Sequence, residues 1–267
     1  MIQNCSVTGI YKIIGHLCLI LIFSLSAQAA NDLDAIKLTV IHAQEPPLHH
    51  YLPSDDKYLG IFKEIAVELA KRIDVDVLYV SSSRGQVEKN INSGISNAVF
   101  LSKEWVLEPE KLIFSNEIFV HKEYLYSTHP FVAGKSLKNW VQGKSVCTRK
   151  DYILPKLEPF LQQKIMTRLD ISDDVSIIKM VSKGRCDMAL LDELKEIWLT
   201  NNTTYFDDLY RSPIYLSEAS IRLALNPIWL PKLSAINGHI RDMQQSGLIQ
   251  KIIDEQSALI VTHGYLQ

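Results

Sequence analysis

Apolar positions along the chain fall into one pattern that occurs twice. Ile36-Lys37-Leu38-Thr39-Val40-Ile41 predicts a strand, and Gly60 to Ile73 places Ile61, Ile65, Leu69 and Ile73 four apart, one face of a helix. Val75 to Val80 is a second, β-branched strand. Gln86 to Ser93 carries Val87 and Ile91 at helical spacing and stops at Gly94, and Asn97 to Leu101 returns as a strand. Strand, helix, strand, helix, strand with short joints implies parallel pairing and a sheet covered on both faces.

The second occurrence begins with a strand over Lys144 to Thr148. A helix is predicted over Tyr152 to Phe160 with Asp151 as N-cap, then a strand over Lys164 to Leu169. Asp173 to Lys183 is a helix with Val175, Ile178 and Val181 inward, ended by Gly184, and Cys186 to Leu191 is the third strand. Two units of one plan, joined through Tyr124 to Thr128, predict two lobes rather than one continuous sheet. Pro227 to Ser257 is helical in two pieces, with a break at Ser246-Gly247.

Composition narrows the function classes. The 267 residues are 47% apolar and 22% charged, as in ordinary globular proteins, and Lys plus Arg number 28 against 30 Asp plus Glu, a net charge of -2. No basic field exists to hold nucleic acid. Residues 1–29 read as a cleaved signal peptide: Lys12 is their only Lys or Arg, Leu17 to Leu25 is apolar, and Ala27-Gln28-Ala29 supplies a small-residue cleavage site. The product is expected in the periplasm. Of four cysteines, Cys5 and Cys18 leave with that segment, while Cys147 and Cys186 remain. In an oxidising compartment these two either form a disulfide or stay as buried thiols.

The residues that carry a resemblance are spread along the chain. They are Glu45-Pro46-Pro47-Leu48 after the first strand, Gly60-Ile61-Phe62-Lys63-Glu64-Ile65 opening the first helix, and the turn Phe114-Ser115-Asn116-Glu117-Ile118. Leu137 through Gly143-Lys144-Ser145-Val146, then Gly184-Arg185-Cys186-Asp187 with Leu191-Asp192-Glu193, and Gly247-Leu248-Ile249 complete the set. In order and spacing they resemble the periplasmic solute-binding proteins of family 3, the polar amino acid type with the type II periplasmic binding fold. The resemblance implies an α/β fold of two lobes, each a mostly parallel sheet flanked by helices, crossed by a two-strand hinge. Residues 30–126 and 220–267 would form the first lobe and 127–219 the second, with crossings at Tyr124 to Thr128 and Leu216 to Ser220.

It also implies where a ligand would sit. The family's Thr-x-x-Arg stretch, whose Arg clamps a carboxylate, reads Ser102-Lys103-Glu104-Trp105 here, so Trp105 becomes an aromatic wall. Asp192 matches the acid that takes a ligand amine, and also suits a helix N-cap before Glu193 to Leu199. Arg149, in Thr148-Arg149-Lys150-Asp151-Tyr152, stands at an expected helix start and offers a substitute cation from the second lobe. Glu45 lies in the loop at the cleft's lip with His49, His50 and Tyr51, whose imidazoles are expected to face solvent. Adjacent histidines are a poor chelate, so neither a metal nor a cofactor is expected, and no catalytic motif appears.

These readings converge on a monomeric binding protein without enzymatic activity. It would capture a small polar, amine-bearing, amino acid-like solute and deliver it to the membrane permease of an ABC importer. Two alternatives use the same fold: a sensing module for a membrane signalling partner, and a periplasmic enzyme of the dehydratase type.

Overall fold

The computed structural model describes residues 33–41, 44–52 and 57–260; the expected signal peptide lies outside the described residues. Strand β1 (Ala35–Ile41) is followed by the hairpin β2 (His50–Leu52) and β3 (Lys57–Leu59), helix α1 (Ile61–Ile73), β4 (Asp76–Ser82), α2 (Val87–Asn92), β5 (Ala98–Leu101) and the short β6 (Ile113–Phe114). The long β7 (Phe119–Ser127) then leads to α3 (Leu137–Val141), β8 (Ser145–Arg149), α4 (Glu158–Gln162), β9 (Thr167–Ile171), α5 (Asp174–Ser182), β10 (Met188–Asp192) and α6 (Glu193–Asn202). After β11 (Tyr210–Arg211), the long β12 (Ser217–Leu225) returns the chain to the first half, where α7 (Leu233–Gln245) and α8 (Leu248–Ser257) close it.

The strand order β4-β1-β5-β12-β7-β10-β8-β9 explains both halves at once. In the first, β1 lies between β4 and β5 and runs parallel to both; in the second, β8 lies between β9 and β10, again parallel. Each trio is flanked by one antiparallel crossing strand, β12 beside β5 and β7 beside β10. The two crossing strands also pair with each other, from Glu123 opposite Ser217 to Phe119 opposite Ile221. The ladder is therefore unbroken between lobes, where sequence periodicity predicts a gap. The physical reason is length: each crossing strand has nine residues, enough to pair on both edges.

Separate cores support the two lobes. Ile36, Leu38, Phe100 and the α1 residues Ile61, Ile65 and Leu69 are buried with Ile236, Ile240 and Ile252 of the closing helices. Ile177, Ile178 and Val181 of α5 pack on Cys147, Ala189 and Trp198, and Trp140, Val141, Val146 and Leu157 fill the other face of that sheet. Burial of each such side chain contributes roughly 1.5–3 kcal/mol. Leu194, at the start of α6, packs into the first lobe's core beside Phe119, which draws the lobes together. No helix among the described residues is long and apolar enough to cross a membrane.

Three elements differ from expectation. The strand predicted over Lys164 to Leu169 runs instead over Thr167–Ile171, because Lys164 takes a left-handed φ of 55° in the turn before it. The helix predicted over Tyr152 to Phe160 is only α4, because Asp151 takes a left-handed φ of 63° and Pro155 disfavours helical backbone at Leu154. Tyr152 and Ile153 consequently sit in a loop facing the cleft, and Arg149 does not precede a helix N-terminus. The third strand of the second unit starts at Met188, so Cys186 lies before it. Gly184, at φ 66°, turns the chain there, and Asp187 fastens the turn by accepting from the Ser145 backbone N–H at 2.9 Å.

That turn carries Cys186 to Cys147, with Cα atoms 6.1 Å apart and the sulfurs placed as a disulfide. A bridge over 39 residues stabilises by roughly 3–4 kcal/mol in the chain-entropy view. The exported protein, denatured without reductant, is expected to release no titratable thiol from this pair. Two thiols per chain would establish the buried free pair instead.

Candidate functional site

The four residues singled out in the sequence, Glu45, Trp105, Arg149 and Asp192, line one cleft between the lobes. The topology accounts for this. Glu45 follows the carboxyl end of β1, Trp105 follows that of β5, and Arg149 and Asp192 end β8 and β10. Beyond the carboxyl ends of parallel strands is where open α/β sheets leave a crevice.

Glu45 is held by a tight turn. Its backbone exchanges hydrogen bonds with His49 at 2.9 and 3.0 Å, and the Pro47 and Leu48 carbonyls accept from the Ile61 and Phe62 N–H groups at 2.9 and 3.0 Å. Those are first-turn donors of α1, which have no partner inside the helix. Gly60 permits the contact: its φ is 113°, and a Cβ there would lie 2.6 Å from the Leu48 oxygen and 2.7 Å from that of Pro47. His49 Nε2 donates to the Ile41 carbonyl at 3.1 Å, leaving Nδ1 4.0 Å from Glu45. His49 and His50 are 6% and 2% exposed. The expectation of solvated imidazoles fails because the β2–β3 hairpin and the turn fold this segment inward.

From the second lobe, Asp192 caps α6, one oxygen accepting from the Leu194 and Lys195 N–H groups at 3.0 Å each. Its other oxygen lies 3.5 Å from Lys195 Nζ. Lys195 reaches across the cleft and donates to Glu45 Oε1 at 2.7 Å, with Asp174 at 3.5 Å. Arg149 Nη1 donates to the Gln44 carbonyl at 3.3 Å and lies 3.8 Å from Asp174, whereas its Nη2 has no hydrogen-bond partner. All five charged side chains are buried.

Burial would raise the Glu45 carboxyl, but Lys195, Arg149 and His49 outweigh it and hold the group well below the usual carboxylate range. Burial would likewise lower Lys195, yet Asp174, Glu45 and Asp192 keep it firmly protonated. Asp174 goes the other way: burial raises its carboxyl more than Lys195 and Arg149 lower it. His49 is pushed down chiefly by burial, despite Glu45 beside it.

The opposite wall is apolar, built from Leu38, Val40, Phe62, Val99, Phe100 and Leu101. Trp105 lies against the ring of His121, centroids 5.4 Å apart, and its carbonyl accepts from Arg84. His121 is buried with neither ring nitrogen hydrogen-bonded. Two residues further along β7, Glu123 accepts from the Ser217 hydroxyl, and burial raises its carboxyl. The cleft encloses about 70 Å³ accessible to the centre of a water molecule, room for a handful of waters at roughly 10–15 Å³ each.

Sequence reasoning missed Lys195, Asp174, Tyr152, His121 and Glu123. Lys195 carried a usable signal: a cation in the first turn of a helix opposes the helix dipole and needs an acidic partner. Asp174, next to the N-cap Asp173, reads as an ordinary first-turn acid. His121 and Glu123 alternate along a strand that otherwise reads only as a crossing.

Two outcomes follow from this geometry. Asp192→Ala removes both the cap and the charge beside Lys195, whereas Asp192→Asn removes only the charge and still accepts from the helix N–H groups, so the Ala variant should be less stable than the Asn variant by about 1 kcal/mol; equal losses would deny the cap. Burial lowers the His50 imidazole from 6.5 to about 4. Its neutral form therefore contributes stability fully above pH 6.5, and that contribution is lost as pH falls toward 4, up to about 3 kcal/mol. Chemical denaturation at several pH values should show the loss in the wild type and less of it in His50→Gln.

No protein-family model matches the chain, and no curated protein sequence does. Solved structures do. The amino acid ABC transporter substrate-binding protein AbpA from Streptococcus pneumoniae, bound to L-arginine, superposes with a TM-score of 0.70 at 17% identity, over 86% of this chain and 97% of that one. A binding component of an ABC transporter from Wolinella succinogenes, complexed with lysine, gives 0.70 at 13% identity, over 84% and 95%. The ancestral amino acid-binding protein AncCDT-1, a precursor of cyclohexadienyl dehydratase, gives 0.64 at 13%, over 84% and 95%. With the strand order and the cleft at the carboxyl ends of both parallel trios, these likenesses show that the chain has the two-lobed fold of the type II periplasmic binding proteins.

Proposed function

We propose that the protein captures a small solute of amino acid size between its lobes, in the periplasm, and passes it to the membrane permease of an ABC importer. The observation that carries this reading is convergence: side chains following four parallel strands, two in each lobe, meet in one nearly closed cleft crossed by the Lys195–Glu45 contact. The reading takes residues 30–126 and 220–267 as the first lobe and 127–219 as the second, working as a monomer behind a signal peptide removed on export. Trp105 supplies the wall for the solute's apolar body, and Arg149 a charged partner. The expected amine on the solute is left out, because Glu45 and Asp192, the acids it would use, already face Lys195.

A second reading, an enzyme of the dehydratase type, is favoured by one observation. Glu123, whose carboxyl burial raises, faces the cleft beside His121, an arrangement able to donate a proton.

A thermal-shift screen of amino acids, amines, peptides and organic acids should reveal a stabilising solute. Trp105→Ala should weaken its binding by about 1–3 kcal/mol through lost apolar and ring contact, with little change in the melting temperature of the free protein. Binding unaffected by that change would remove Trp105 from the site. Conversion of the solute to a product, abolished by Glu123→Gln, would replace transport by catalysis.

A further inference from the structure

Glu45 and Asp192 line one end of the cleft with Asp174 behind them, and three acidic groups so placed form a receptor for a primary ammonium ion. One is already there. Lys195 Nζ stands 2.7 Å from Glu45 and 3.5 Å from each of the two aspartates. It donates to Glu45, the two aspartates add negative charge beside it, and a second ammonium would meet an occupied pocket and a like charge.

We propose that Lys195 is a built-in occupant of the cleft's ammonium subsite, and that the solute is a small organic acid without a free amine. The inference deepens the solute-binding reading and rests on it. What the cleft leaves over points the same way. Arg149 Nη2 and the Thr148 hydroxyl are buried, line the cleft and have no hydrogen-bond partner. Both can donate, and a carboxylate accepts from both at once. Buried polar groups seldom stay unpaired in a folded protein; Asp174, 3.8 Å from Arg149 Nη1, has both oxygens unpartnered too, but it does not line the cleft, whereas the two donors do and suit an oxyanion there. The unpaired His121 imidazole, on the hinge strand, offers one more polar contact, and the apolar wall of Phe62, Phe100 and Trp105 receives a hydrocarbon body.

The test uses matched pairs and one truncation. Calorimetry on the wild-type protein compares L-leucine with 4-methylpentanoate and L-phenylalanine with 3-phenylpropanoate, which differ only in the amine. The amine-free member should bind at least tenfold more tightly wherever either binds; tighter binding of the amino acid would overturn the inference. Lys195→Ala removes a propylammonium group, so millimolar n-propylammonium should raise the melting temperature of the variant by several degrees and leave the wild type unmoved. If the variant folds only when the amine is present, that rescue is the same result. A variant that the amine neither stabilises nor rescues would overturn the inference. If the variant takes up propylammonium while the wild type binds neither member of any pair, Lys195 keeps its role and the solute-binding reading is what fails.

Discussion

Lys195 and Glu45 meet at 2.7 Å with almost all of both side chains buried. Taking an ammonium and a carboxylate out of water costs several kcal/mol each, and their attraction offsets this only where geometry is good and the remaining donors and acceptors are served. Much of the cleft is the service they require. Asp192 and Asp174 add negative charge 3.5 Å from the lysine, and Arg149 offsets part of the acid excess. The turn carrying Glu45 is locked to the open donors of α1 through a contact that only a residue without a Cβ allows. Loss of either partner would strand the other in a medium that cannot solvate it.

The pair also joins two independently built units. Each lobe has its own parallel trio and its own core, and beside the β7–β12 ladder the contacts that cross between them include Lys195 with Glu45, Arg149 with the Gln44 carbonyl, Asn202 with the Leu259 carbonyl, and Leu194 in the first lobe's core. Charged cross-contacts of this kind set relative orientation more sharply than apolar ones, since a shift of an ångström leaves buried charge unpaired.

The architecture was legible in the sequence because its signals are local. The four-residue spacing of Ile61, Ile65, Leu69 and Ile73, the glycines that end helices and the repeated strand runs all depend on neighbours in the chain. Tyr152 to Phe160 misled because apolar spacing suggests a helix while Asp151 and Pro155 act against one. The cleft was legible in part. Glu45, Trp105, Arg149 and Asp192 could be placed from position after a strand, but partnership could not: Glu45 and Lys195 are 150 residues apart, and nothing local to either reveals the other. The two histidines were misjudged for a related reason, since their burial depends on a hairpin folding over them.

The hinge has a consequence for how a solute is examined. His121 and Glu123 stand on β7 within the stretch that pairs with β12, the part of the molecule that belongs to both lobes. When lobes rotate about such a ladder, side chains on it move least, while those at the ends of β1 and β8 travel furthest. In the solute-capture reading proposed above, the imidazole and the carboxyl would therefore keep their places while the arms on either side move. On that reading, contacts made on the ladder would persist through opening, while contacts made by the arms would form and break with it. The sheet that joins the lobes would thus hold both a fixed part of the cleft and its moving parts, on neighbouring strands.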